Sequence, residues 1–240
     1  MQIIYQDDYF IAINKPVGLL VHRSRIDKYE TRFALQLVRD YIGCRVYPVH
    51  RLDKPTSGVL LFALHSEAAA SMMSLFETAQ VKKSYLAVVR GYIDEHGEID
   101  YPLLESQDKM TDSLADKNKT AKPATTRYGR LATVELPISV GRYQTSRYSL
   151  LQANPITGRK HQIRRHMKHI FHPIIGDTTY GDGAHNAMFR QEFNCHRLLL
   201  HASGLSFPHP YSNQPVSICA PLDSDFEHIL RRLGWQFQVI

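Results

Sequence analysis

The chain has 240 residues, enough to bury a large core as one domain or as two closely packed halves. Its 43% apolar and 22% charged residues are ordinary for a soluble globular protein, and no run approaches the length of a membrane span. The net charge of +6 leans toward an acidic partner, and Cys44, Cys195 and Cys219 form no C-x-x-C pair, which suggests neither a zinc knuckle nor a disulfide framework and fits a reducing cytoplasm. Residues 1–8 lack the basic region and apolar core of a signal peptide.

Residues 1–14 read as a hairpin, with β-prone segments at 2–5 and 9–13 joined by Gln6-Asp7-Asp8. Asn14-Lys15-Pro16-Val17-Gly18 marks a turn, and 19–21 a short strand. Thr31 caps a helix to about 42, with Phe33, Leu37, Val38 and Tyr41 on one face and Gly43 ending it. A polar loop, His50 to Gly58, then feeds the apolar run 59–64, which reads as a strand buried on both faces. Pro55 fixes φ and Gly58 permits a bend, so Asp53 sits on a tight loop at the mouth of that strand, with Arg51 two residues before it. A carboxylate held this way is a candidate nucleophile or base, although Asp before Pro-Thr-Ser-Gly is also a common turn former.

Ser66 caps a second helix to about 80, whose stripe of Ala69, Met72, Met73, Phe76 and Ala79 reads as core. Residues 82–91 form a strand carrying Tyr85, read locally as a ring in the core with its hydroxyl at the rim. The polar stretch 104–124 reads as an exposed, mobile loop, and 125–136 and 145–153 as strands. Pro155 and Gly158 make a turn before a helix that starts near Arg159 or Lys160 and runs to about 170. Its free N-terminal N–H groups suit phosphate, and His161, Arg164 and Lys168 share a face. His161, His166, His169 and His172 invite a metal reading, but the stretch supplies no Cys or carboxylate and its basic neighbours would repel a cation. Between Glu135 and Asp177 there is no acidic residue, while Arg142, Arg147, Arg159, Lys160, Arg164, Arg165 and Lys168 fall inside that interval. This reads as a footprint for nucleic acid rather than for membrane, because no amphipathic apolar face accompanies the charge. Residues 197–202 read as a buried strand, and 207–210 as a turn. Asp223 or Ser224 caps a last helix with Phe226, Ile229, Leu230 and Leu233 inward and Gly234 after it.

The run His50-Arg51-Leu52-Asp53-x-x-Thr56-Ser57-Gly58 resembles the signature of the RluA family of RNA pseudouridine synthases. Asn14-Lys15-Pro16-x-Gly18 and Lys83-x-Tyr85-x-Ala87-x-Val89-x-Gly91 resemble two further motifs of that family. So does Thr157-Gly158-Arg159-x-His161-Gln162-Ile163-Arg164-x-His166, followed by Pro173 to Asp177 and Tyr180-Gly181. The resemblance implies an α+β pseudouridine synthase fold: one catalytic domain over 1–240, made of two packed halves on a long, mixed, largely antiparallel sheet flanked by helices. The active-site cleft crosses its middle, and no S4-like module is expected. It implies catalytic roles for Asp53, attacking at either the ribose or the uracil ring, for Tyr85 as the active-site tyrosine that stacks on uracil or takes part in removing the C5 proton, and for Arg164 as the charge partner of Asp53. Arg51 is implied to fill the gap left by a flipped base, and Arg159, Lys160, Arg165 and Lys168 to contact phosphates; Lys15 either neutralises a phosphate or is structural. No cofactor, metal, membrane or obligate protein partner is implied, and a cytoplasmic monomer is expected.

The compact length, the 104–136 insertion and the run Arg142-Tyr143-x-Thr145-x-Arg147-Tyr148 are similar to family members that isomerise uridine 65 of tRNA. Other readings are an enzyme of the same type acting on rRNA or another tRNA position, and a non-catalytic RNA-binding protein on the same fold. A nucleoside glycosidase would need a second acid to activate water, and none stands out near Asp53. One departure from the motifs is Phe171, where many family members carry Gly.

Overall fold

The computed structural model describes residues 1–22, 31–104 and 120–236, which build an open mixed sheet with five helices on its faces, an α+β fold. β1 (Gln2–Gln6) and β2 (Phe10–Lys15) form the N-terminal hairpin, turned by Asp7, whose carboxylate accepts the N–H groups of Tyr9 and Phe10. β2 pairs antiparallel with β4 (Ser57–Ala63), and every residue of β4 is buried, as its unbroken apolar pattern requires. α1 (Ala34–Ile42) covers one face of this region, through Ala34 and Val38 against Leu60 and Phe62. α2 (Ser66–Glu77) covers the other, through Ala68 and Met72 against Leu61 and Ala63.

The rest of the sheet runs β9 (Leu200–Pro208), β5 (Lys82–Arg90), β8 (Ser146–Pro155), β7 (Thr125–Leu136), β6 (His96–Asp100), all antiparallel. α3 (Gln162–His169) seats Ile163 and Met167 on Ala87, Val89, Leu151 and Ala153. α4 (Gly183–Phe193) and α5 (Ser224–Arg232) cover the opposite face, through Phe189, Phe226 and Ile229 against Leu86, Val88 and Leu150. No helix among the described residues is long and apolar enough to cross a membrane.

The two parts of the sheet meet where β4 lies parallel to β9, through only two residue pairs, Ser57 with His201 and Gly58 with Ala202. Beyond that point the strands take other partners: β4 pairs with β3 (Tyr47–Pro48), and β9 with β10 (Pro215–Cys219). In the gap on β4, the His50 ring takes the place of a strand, its Nε2 accepting the Leu61 N–H at 3.0 Å. Burial pushes His50 down to about 4, so the ring is neutral and able to accept. The junction itself is a buried polar seam. Arg197 pairs with Asp223 and donates to Ser57 Oγ at 2.7 Å, the Ser57 hydroxyl donates to His201 Nδ1 at 2.8 Å, and His201 Nε2 donates to the Ala220 carbonyl at 3.1 Å. Every member finds a partner, which is what a buried polar group needs to avoid a large penalty.

Several local expectations shift. Residues 19–21 make one bridge, Leu20 to Phe33, rather than a strand. α1 begins at Ala34 with Phe33 at its N-cap, and Tyr41 faces solvent while Ala34 takes the inner position. In α2 the buried positions are Ala68 and Met72, and Met73 is exposed, so the helix is rotated from the expected stripe. α3 is shorter than its periodicity suggests because His161 is left-handed, with φ of 55°. α4, β6 and β10 carry little apolar patterning, and the sequence did not announce them. The last helix matches its expectation: Asp223 accepts the Phe226 N–H, and Phe226, Ile229, Leu230 and Leu233 are buried. Most of the 104–124 loop, residues 105–119, lies outside the described residues; at its flanks Leu103 and Lys122 exchange backbone hydrogen bonds of 2.9 and 3.0 Å.

Gly58 is required by this junction. Its φ is 112°, and a Cβ there would stand 2.1 Å from the Ala202 carbonyl oxygen. Gly58→Ala should therefore part β4 from β9 and lower stability by more than about 2 kcal/mol, measured by urea unfolding. An unchanged unfolding midpoint would show that the two strands are free to separate.

Candidate active site

Asp53 lies in the loop that enters β4 at the junction. The loop closes on itself through the Thr56 N–H to the Asp53 carbonyl at 3.0 Å, and is tied to the first turn by the Gly18 N–H to the Lys54 carbonyl at 2.9 Å. Lys15 completes that tie. Its ammonium donates to the carbonyls of Leu19, Pro16 and Lys54 at 2.8, 3.0 and 3.2 Å, and the residue is fully buried. Burial pulls its pKa down to about 7, with the nearby Asp53 charge opposing the shift. The phosphate role considered for Lys15 is thus corrected: a side chain closed off by three backbone carbonyls does not reach RNA, and it acts as a staple under the Asp53 loop.

Arg164 comes from the other part of the sheet. Gln162 fixes the start of α3, its side-chain oxygen accepting from the Thr157 hydroxyl and the Arg159 N–H, and its amide donating to Thr125 and Thr126. Two residues on, Arg164 Nη1 donates to Asp53 Oδ2 at 3.1 Å, while Nε and Nη2 grip both oxygens of Asp177 at 2.8 and 2.9 Å. Asp177 also accepts the N–H groups of Thr179 and Tyr180. Arg164 and Asp177 are only 4% and 2% exposed, whereas a quarter of the Asp53 side chain is open. Burial pushes the Asp177 carboxyl up, but Arg164 and the two N–H donors outweigh it and hold the pKa below the ordinary value. The result is a fixed guanidinium fork with one arm left for Asp53, the one member of the trio that faces outward.

Tyr85 lies on β5, where a bulge frees it from the β9 ladder between Ser84 and Leu86. Its half-buried ring packs against both apolar clusters that flank the cleft on the α1 and α3 side. Burial, and then the Asp53 charge, raise the phenol above its ordinary range, so it is neutral at pH 7. Arg164 thus meets Asp53 directly, and Tyr85 lies near enough for the Asp53 charge to act on its phenol. The sequence reasoning missed Asp177, His161 and Tyr180. His161 Nε2 is 3.7 Å from Asp53 Oδ1, and its Nδ1 is 3.0 Å from the Tyr180 hydroxyl. The signal for Asp177 and Tyr180 was their place in the motif around Arg164, to which His161 added a shared face with Arg164 and Lys168.

The cationic side chains serve mixed purposes. Arg51 is exposed, close enough to His22 to help depress that ring, which burial already lowers. Lys160 is half-buried, and exposed Lys168 sits 5.9 Å over the Tyr180 ring. Arg159 donates to the Pro123 carbonyl and Arg165 to the Leu104 carbonyl, so both clamp the flanks of the 105–119 segment. Arg147 pairs with Glu135. The four histidines do not converge on one point: His161 meets Tyr180, His166 meets Thr126 and the Tyr101 carbonyl, His169 stacks on the Tyr101 ring, and His172 meets the Arg90 carbonyl. Phe171 adopts φ of 64°, the conformation a glycine takes without strain, and leaves its ring 79% exposed.

A sheet split at a parallel junction, with a carboxylate loop on one side and an arginine helix on the other, defines the class. The RNA pseudouridylate synthase family matches residues 9–169, and the chain belongs to that family of isomerases. Among curated relatives, tRNA pseudouridine synthase C of Vibrio cholerae is 53% identical over 236 residues, covering 98% of this chain and 97% of that protein. The protein of the same name from Haemophilus ducreyi is 54% identical over 237 residues, with 99% and 97% covered. Among solved structures, human RNA pseudouridylate synthase domain containing 4 superposes with a TM-score of 0.73 at 26% identity, over 99% of this chain and 94% of that one.

Arg164→Ala would leave the buried Asp177 charge unpaired, and should cost about 3–5 kcal/mol at pH 7. In the wild type the Asp177 contribution is complete above its unfolded pKa of about 3.9 and is lost as pH falls through the depressed folded value. In the variant the unpaired carboxyl has a raised pKa, so acidification relieves its penalty. The stability gap should narrow from pH 7 toward pH 3 in urea titrations; a constant gap would mean Asp177 is not the group left stranded. Lys15→Met should lower the melting temperature and leave the salt dependence of RNA affinity unchanged, since no phosphate contact is lost. A flatter salt slope in that variant would restore Lys15 to the RNA surface.

Proposed function

We propose that this protein converts uridine to pseudouridine in tRNA, at uridine 65, in the cytoplasm. The observation that carries the reading is the pairing of a partly open Asp53 with a buried Arg164 that Asp177 locks in place. The names and near-complete coverage of the curated relatives support tRNA as the substrate class.

A uridine within folded RNA must leave its stack to reach the cleft. Arg51, exposed two residues before Asp53, fills the space it vacates. Tyr85 stacks on the uracil; being neutral, its phenol does not begin the reaction as a base. Asp53 is the nucleophile, its carboxylate aimed by Arg164; the bond it forms to the substrate is broken again before the product leaves, which returns the free carboxylate. The C1′–N1 bond breaks, the uracil turns, and a C1′–C5 bond forms. The C5 proton leaves and N1 takes one up, so the balance needs no cofactor. Arg159, Lys160, Arg165 and Lys168 position the RNA through phosphates, which adds affinity but not sequence choice. Hydrolysis is disfavoured by the same geometry: Asp177, the carboxylate that shares Arg164 with Asp53, has both oxygens engaged by that arginine and so is not available to activate water.

Mapping pseudouridine in tRNA and rRNA from cells lacking the protein, then restoring either wild type or Asp53→Asn, tests the reading. Wild type should restore modification at uridine 65 alone. Asp53→Asn should restore none while binding tRNA within about twofold of wild type, because an amide keeps the shape but not the nucleophile. Modification restored only in rRNA would overturn the substrate, and modification by Asp53→Asn would overturn the mechanism.

A further inference from the structure

We infer that His161 is a positioning residue for Asp53, holding the carboxylate oxygen that Arg164 leaves untouched. The inference rests on the reading above, in which Asp53 carries the reaction. Arg164 takes Asp53 Oδ2 at 3.1 Å, and His161 Nε2 stands 3.7 Å from Oδ1. One contact leaves a carboxylate free to rotate about its Cβ–Cγ bond; two donors on different oxygens fix its plane.

Three further observations support the assignment. The first is backbone conformation. His161 occupies the N-cap of α3 with φ of 55°, a left-handed conformation that costs about 1 kcal/mol or more for a residue with a side chain. Its side chain makes no capping hydrogen bond there, so capping does not account for a histidine at this position.

The second is the tautomer. The Tyr180 hydroxyl lies 3.0 Å from His161 Nδ1. If Nδ1 carried the proton, Nε2 would present its lone pair to an ionised Asp53. The favoured arrangement has the Tyr180 hydroxyl donating to Nδ1 and the Nε2–H directed at Asp53. Burial lowers the His161 pKa. Asp53 and Asp177 push it back up, while Arg164 and Lys160 push it down, and the net effect keeps the imidazole neutral at pH 7.

The third is closure. Tyr180 is itself fixed: its N–H is bound by Asp177 at 2.9 Å, and its ring lies 5.1 Å from the Arg164 guanidinium carbon. Asp53, His161, Tyr180, Asp177 and Arg164 thus form a circuit in which Asp53 alone comes from the β4 side of the junction. The gap of 3.7 Å is too long for a hydrogen bond, and a small rotation of the Asp53 side chain closes it as substrate fills the cleft.

The experiment uses the full-length protein with tRNA transcript and compares wild type, His161→Asn, Tyr180→Phe, the double variant, and Asp53→Asn. Asparagine accepts the left-handed backbone but is too short to reach Asp53. For each we would measure the single-turnover rate at saturating tRNA, the tRNA dissociation constant and the melting temperature. His161→Asn should slow turnover by about 10- to 100-fold with the dissociation constant held within about twofold. Tyr180→Phe should slow it less, and the double variant should be no slower than His161→Asn, because the hydroxyl acts only through the imidazole. Two results overturn the inference while leaving the catalytic reading intact: wild-type turnover in His161→Asn with Asp53→Asn inactive, or additive losses in the double variant. Turnover by Asp53→Asn would remove the catalytic reading and this inference with it.

Discussion

A guanidinium buried between two carboxylates organises this protein. Removing Arg164 from water is costly, and only a fork of charge-assisted hydrogen bonds of good geometry offsets that cost. Asp177 supplies the larger share with both its oxygens, and is itself held by two backbone N–H groups. The surrounding chain is shaped to permit this. A Cβ at Gly176 would stand 1.8 Å from the Arg197 carbonyl oxygen, so the Asp177 loop can press against its neighbour only as glycine allows. Ile163 and Met167 seat α3 on the sheet at the height that brings Arg164 to the cleft. Asp53 receives the remaining donor, and so its Oδ2 is anchored by groups that do not themselves face the cleft.

The second constraint is the short parallel contact of β4 with β9. Two residue pairs join the parts of the sheet, and the polar seam of Ser57, His201, Arg197 and Asp223 runs through them. Asp53 enters from one side of that seam and Arg164, Asp177, His161 and Tyr85 from the other. A junction with few backbone hydrogen bonds would be an easy place to open. Here it is held by close packing at Gly58 and by buried side-chain hydrogen bonds across the seam, while the Lys15 staple fixes the Asp53 loop on its own side.

The basic stretch between Glu135 and Asp177 illustrates how charge along a chain differs from charge in space. The interval contains no acid, yet Arg164 is neutralised by Asp53 and Asp177, and Arg147 by Glu135. Arg159 and Arg165 each give a donor to a backbone carbonyl beside the 105–119 segment. What the stretch leaves for RNA on the proposed reading is narrower than the sequence suggests: exposed Arg142, whose guanidinium reaches Tyr143, exposed Lys168, and the parts of Arg159, Lys160 and Arg165 not already engaged. Phe171 is a comparable case. Its loop keeps the left-handed turn that glycine would give, and only an exposed ring is added.

The sequence by itself determined the elements with strong periodicity and the residues with unusual chemistry in motifs. β4 was legible because a strand covered on both faces must be apolar throughout, and α5 because its cap and stripe agree. Asp53, Tyr85 and Arg164 were legible through their motifs. The motifs also paired Arg164 with Asp53, but only the tertiary structure decided which other charges join them. Asp177 was invisible as a partner because carboxylates far apart in sequence become neighbours through a shared arginine, a contact that leaves no local pattern. Lys15 looked equally suited to phosphate or to packing until the carbonyls of Leu19, Pro16 and Lys54 were seen around it. His161 read as one of several helical histidines, and its backbone conformation and two ring contacts appear only once α3 is placed against Tyr180 and the Asp53 loop. Propensity and pattern act within a few residues, whereas burial and ion pairing depend on what the folded chain brings alongside.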